Sequence, residues 1–122
     1  MQLSNLLIAV MAATASATCH TSGETWNNKA AARTAITNAC TGSGRFTGTF
    51  GISEIRRVCV NSGGAQKMEF EVQNKAGQAR NWDNAECIHR LSREVDGCNQ
   101  NKGGYNTVDS WYYQSDPNAG QC

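Results

Sequence analysis

The stretch Lys67–Cys98, KMEFEVQNKAGQARNWDNAECIHRLSREVDGC, decides the fold class because its hydrophobic period changes halfway along. In Lys67–Gln73 the apolar residues Met68, Phe70 and Val72 alternate with Lys67, Glu69, Glu71 and Gln73. That is the two-residue period of a strand with one buried and one wet face. Asn74–Arg80 is polar and reads as a loop. Asp83 followed by Glu86 then forms a capping-box pattern, and Trp82 is placed to staple onto Cys87. Cys87, Ile88, Leu91, Val95 and Cys98 recur at helical spacing, and Gly97 supplies a stop. A strand and an amphipathic helix in one short segment point to an α+β fold.

Working toward the N-terminus, Glu54–Asn61 carries Ile55, Val58 and Val60 as a second strand, turned at Gly63-Gly64. Arg45–Phe50 is a short strand broken by glycine. Glu24–Cys40 is alanine-rich and free of proline, and Ala32, Ile36, Ala39 and Cys40 give it a thin helical stripe. Toward the C-terminus, Asn106–Gln114 reads as a last strand holding Trp111, Tyr112 and Tyr113, and Asp116–Gly120 as a turn. The expected architecture is a two-layer α+β sandwich: an antiparallel sheet of four to five strands, with both helices on one face and three disulfides.

Residues Leu3–Ala13 are almost entirely apolar, and Ala15-Ser16-Ala17 has the small-x-small pattern of a signal-peptidase site. About eleven apolar residues are too few to span a bilayer, which takes roughly 20. Residues 1–17 therefore read as a secretory signal and 18–122 as one secreted, extracellular domain without a membrane anchor. The six cysteines, Cys19, Cys40, Cys59, Cys87, Cys98 and Cys122, all follow the predicted cleavage point and read as a disulfide framework.

Some pairings are excluded by the helices. Eleven residues of helix separate Cys87 from Cys98, about 16 Å at 1.5 Å per residue. A disulfide needs Cα atoms within about 7 Å. Cys19 and Cys40, which flank the first helix, are excluded in the same way. Of the fifteen connectivities of six cysteines, ten remain. The helix cysteines are expected to reach strands or termini.

Eleven basic and ten acidic residues leave a net charge of +1, which gives no electrostatic footprint for nucleic acid. No CxxC or HxxxH pair suggests a metal, no cofactor motif appears, and there is no N-x-S/T sequon. No GxSxG or Cys/His nucleophile pair occurs. Glu69 and Glu71 share a strand face, yet they fit an ordinary solvated pattern. A small secreted ribonuclease would need His20, His89, an arginine such as Arg57 and a glutamate to converge. His89 lies one residue off the helix stripe, where a surface role explains it.

These absences favour a non-catalytic binding domain. Trp111 and Tyr113 occupy one strand face and Tyr112 the other, so at least one ring is expected to be exposed or at an interface. Exposed aromatic rings stack on the apolar faces of sugars, and amides and carboxylates read hydroxyls. Trp111, Tyr112, Tyr113, Asn106 and Asp109 form the candidate glycan site, with Gln114 and Asn118 nearby.

The spacing of whole blocks carries a resemblance. Cys19-His20-Thr21-Ser22-Gly23-Glu24-Thr25-Trp26 is followed by Arg57-Val58-Cys59-Val60-Asn61, then by Glu86-Cys87 and Glu94-Val95-Asp96-Gly97-Cys98. Gly103-Gly104, Trp111-Tyr112-Tyr113 and Asp116-Pro117-Asn118-Ala119-Gly120-Gln121-Cys122 complete the pattern. It resembles the fungal small secreted cysteine-rich proteins with a Y-three-type glycan-binding domain, over essentially all of 18–122. The resemblance implies a lectin-like protein with a carbohydrate ligand, and a homodimer formed through the sheet. Fungal killer toxins and plant-infection effectors share related small scaffolds, so binding to a host or competitor protein is the alternative function.

Overall fold

The computed structural model describes residues 18–122. The signal-peptide reading of 1–17 lies outside the described residues. The elements are, in order, β1 (Thr18–Cys19), α1 (Lys29–Cys40), β2 (Thr49–Phe50), β3 (Ile55–Gly63), β4 (Gln66–Asn74), β5 (Arg80–Asn81), α2 (Asn84–Asp96), β6 (Gly104–Val108) and β7 (Trp111–Ala119). An antiparallel sheet of five strands runs in the order β1-β6-β7-β4-β3, and β2 and β5 form a small separate ribbon. Both helices lie on one face of the sheet, as the α+β sandwich reading expected.

The alternation in β4 does what its period requires. Met68, Phe70 and Val72 are buried in a core shared with Ala32, Ile36 and Ala39 of α1 and Leu91 and Val95 of α2. Lys67, Glu69, Glu71 and Gln73 face the other way. Helix α2 starts where the capping signal placed it: the Asp83 carboxylate accepts from the Glu86 N–H at 3.0 Å. Glu86 does not close the box. It takes an N–H from Arg90 Nε at 3.3 Å instead. Trp82 packs on Trp111 and Tyr113, with ring centroids 5.3 and 5.7 Å apart.

Three expectations are corrected. Helix α1 begins at Lys29 rather than Glu24, because Asn28 caps it and the residues before it are tethers: Trp26 N–H donates to Asn101 O, and Asn27 N–H to Gln66 Oε1. The last predicted strand is two strands. Asp109 and Ser110 both adopt left-handed backbone (φ 51° and 62°) and reverse the chain in a two-residue hairpin turn. Most of the predicted turn at Asp116–Gly120 is instead the end of β7, which runs to Ala119 and pairs to β4 through Gln66↔Ala119. Pro117 is tolerated there because β6 reaches only to Gly104 opposite Ser115, so no ladder bond is lost beyond it.

The disulfides are Cys19–Cys98, Cys40–Cys87 and Cys59–Cys122, and neither excluded pair forms. Cys59–Cys122 ties the chain end to β3, and Cys19–Cys98 ties β1 to the residue beyond Gly97. Cys40–Cys87 departs from expectation by joining the two helices to each other. The helices pack side by side on the sheet, so their facing cysteines meet before either reaches a strand.

Candidate functional site

Among the described residues nothing layers over the side of the sheet away from the helices, and the strand register gathers its polar residues. Arg57, Glu71, Gln114, Tyr105 and Thr18 form one row across all five strands. Ile55, Gln73, Tyr112 and Thr107 form the row on one side of it, and Cys59, Glu69 and Asp116 the row on the other. His20 extends the second of these flanking rows, its Nε2 lying 3.8 Å from Asp116 Oδ1.

Two features run together on this face. The first is a line of rings: His20 to Tyr105 is 5.6 Å between centroids, and Tyr105 to Tyr112 is 6.3 Å. Tyr105 is among the most exposed large apolar side chains of the described residues, at 39%. The second is a cleft of 340 Å³ beside that line, lined by Arg57, Cys59, Glu69, Glu71, Gln114 and Asp116. Its polar groups are held in place by one another. Arg57 Nε donates to Glu71 at 2.9 Å, and Asn118 Nδ2 donates to Glu69 at 2.7 Å and to Asp116 at 3.1 Å.

Burial raises the Asp116 carboxyl above its usual range, although the Asn118 hydrogen bond and nearby His20 pull it down. Burial, reinforced by Glu71, raises the Tyr112 phenol, so it stays a neutral donor at physiological pH. The arrangement offers stacking surface beside fixed acceptors and donors, the chemistry that orients a polyhydroxylated ligand.

The structure divides the sequence-predicted site. Trp111 and Tyr113 belong to the helix-covered face, at 4% and 2% exposure, so their rings are core and not sugar platforms. Tyr112 alone of the three rings reaches the open face. Asn106, opposite Tyr113, is half-buried and accepts from the Thr107 N–H at 2.8 Å. Asp109 is exposed at the hairpin tip, away from the cleft. Gln114 and Asn118 do face outward beside Tyr112, two and six residues along the same strand.

Tyr105, His20 and Asp116 were missed as site residues. Alternation through 112, 114, 116 and 118 carried the signal for Asp116, but reading Asp116–Gly120 as a turn cut it short. The histidines of the ribonuclease reading do not converge. His89 is exposed on α2, and the sheet lies between that helix and His20.

The edge of the sheet is a second surface. β3 pairs only with β4 among the described residues, and a groove of 520 Å³ runs between it and α1. Ala31, Ala35, Ala39, Val58, Val60 and Met68 make that groove largely apolar. Ile52 and Ile55, at 63% and 39% exposure, are the other exposed large apolar side chains near the start of β3, with Ile55 on the open face.

All six cysteines are bridged, and no helix among the described residues is long and apolar enough to cross a membrane. No protein-family model, curated protein or solved structure matches the chain at a significant level.

Proposed function

We propose that this chain is a secreted, non-catalytic carbohydrate-binding protein whose ligand lies across the open face of the sheet. The carrying observation is the His20–Tyr105–Tyr112 ring line beside a cleft whose carboxylates are hydrogen-bonded by Arg57 and Asn118. Rings of this kind stack on the C–H faces of pyranoses, and a few well-held polar groups then confer specificity. Three disulfides suit an oxidising, extracellular setting. The block resemblance to the Y-three-type glycan-binding proteins supports the same reading.

A glycan array probed with the oxidised protein is expected to show selective binding. Tyr112→Ala should weaken that binding by at least about tenfold, or 1.4 kcal/mol, while leaving the thermal melt nearly unchanged. If the intact protein bound no glycan, the reading would fail and the protein-binding alternative, an effector-like or killer-toxin-like role, would take its place.

The bare β3 edge supports the second part of the proposal, a homodimer formed through the sheet. An added strand would pair with β3 and drop its inward side chains into the apolar groove. Light scattering should find a dimer that Val60→Lys converts to monomer. A monomeric parent protein at high concentration would refute this pairing.

A further inference from the structure

The groove between α1 and β3 has a volume of 520 Å³, inside the roughly 300–1,000 Å³ typical of small-molecule sites. Ala31, Ala35 and Ala39 recur every four residues along one line of α1, and their short side chains leave the space open against β3. Val58 and Val60 on the opposite wall are therefore only partly buried, and the buried Met68 closes the bottom. From Ala31 to Ala39 the groove extends about 12 Å, at 1.5 Å per helical residue.

Its two ends differ in polarity. Asn27, just before α1, donates to Gly63 O at the end of β3. Beyond the other end of α1, Phe46 N–H donates to Ala39 O, and Arg56 Nη1 near the start of β3 donates to Arg45 O. The helix and the strand thus run in opposite senses. Asn61 stands at the Ala31 end, where its Oδ1 accepts from the Cys122 N–H. Arg45 stands at the Ala39 end, exposed, and its guanidinium has no hydrogen bond or ion pair among the described residues. Glu54, the carboxylate that feels its charge, is held instead by Arg56 and the Gly51 N–H. Asn38, whose carbonyl packs on Gly44, brings an amide to the same end.

Charge decides the ligand class. Arg45 is the one charged residue among those lining the groove, so no carboxylate there competes for it. A guanidinium disfavours a cation and grips a carboxylate through two parallel N–H donors. Apolar walls offer hydroxyls no partner, so a sugar would lose hydration without replacement. We infer that this groove binds a single-chain carboxylic acid of medium length, its acyl chain along the alanines and its carboxylate on Arg45. The assignment does not depend on the carbohydrate reading. One consequence rests on the dimer reading: an added β3 strand would fill the same groove, so ligand and strand compete.

The test is an NMR titration of methyl-labelled protein with octanoate and decanoate, with decanol and decyltrimethylammonium as neutral and cationic controls. Decanoate should give saturable shifts at the Ala31, Val58, Val60 and Met68 methyls. It should bind about two- to fourfold tighter than octanoate per added methylene, the upper figure being full burial. Arg45→Gln should weaken decanoate by about tenfold and leave decanol unchanged. Ala31→Leu, which keeps a good helix former on α1, should block both; an unchanged thermal melt shows that each variant is folded. In light scattering, decanoate should release monomer from any dimer. A dimer that persists with the methyl shifts saturated would strike the strand pairing and leave the ligand site standing. The assignment is overturned if decanoate gives no saturable methyl shifts, if decanol or the cation binds as tightly, or if both variants bind like the parent.

Discussion

Trp111→Ala is expected to lower the unfolding free energy by about 3–5 kcal/mol, a large share of the about 5–15 kcal/mol that holds a typical domain folded. Trp111 is 4% exposed and sits where three elements meet. Trp82 stacks on it, Phe50 meets it edge-on at 5.1 Å, and the Arg80 guanidinium covers its ring. Truncation to alanine empties that junction, and the surrounding backbone, pinned by the β4–β7 and β6–β7 ladders, has little freedom to collapse into the gap. Urea unfolding followed by circular dichroism measures the loss. A midpoint unchanged from the parent would show that Trp111 is not the core ring described above. The variant also sets a trap for binding studies, because lost glycan binding here reports unfolding, whereas the same loss in Tyr112→Ala reports the face.

Stability is expected to fall as pH rises from about 4.5 to 7, by about 3 kcal/mol, because of one carboxyl group. Glu94 is 1% exposed and its Oε1 has no hydrogen-bond partner. It lies under β6 where only glycine leaves room: a Cβ on Gly104 would stand 2.7 Å from Oε1. Burial pushes the Glu94 pKa up from 4.5 to about 7, against a small opposing pull from Arg93. Tyr113 of β7 is the titratable group facing it across the core.

The sign follows from proton uptake. Below 4.5 the carboxyl is protonated in both states; between 4.5 and 7 only the unfolded chain releases the proton, so unfolding gains ground, and above 7 the loss is complete. Glu54 acts oppositely. Hydrogen bonds from Arg56 and the Gly51 N–H lower it to about 2, so its contribution disappears as pH falls from 4.5 toward 2. Maximum stability should therefore lie on the acidic side of neutrality. Urea midpoints across pH 3–9 provide the test, with Glu94→Gln flattening the upper limb. An upper limb equally steep in that variant would assign the effect to another group.

Much of the fold was readable because it depends on local rules. The two-residue period of β4, the stripe of α2, the Asp83 cap and the Gly97 stop each rest on backbone geometry within a few residues, and each is found where expected. The errors also share a cause. The Asp109–Ser110 turn contains no glycine to announce it, and Pro117 sits in a strand only because β6 ends first. A local reading cannot see either circumstance.

The site was less legible than the fold for the same reason. Alternation correctly put Tyr112 on one side of its strand and Trp111 and Tyr113 on the other, yet period alone cannot say which side the helices cover. Their packing chose the side of Trp111 and Tyr113, leaving Tyr112 to the solvent face. Nor does spacing bring His20 and Asp116 together, 96 residues apart in the chain, since only the β1-β6-β7 order does so. From its sequence alone this protein was determined to be an α+β framework whose six cysteines could not pair within a helix, because helical rise and hydrophobic period are short-range properties. Tertiary structure alone decided that helix joins helix through Cys40–Cys87, which aromatic rings are buried, and which side chains meet on the open face. Those outcomes depend on strand order and on the layer that covers the sheet, which are long-range properties of the folded chain.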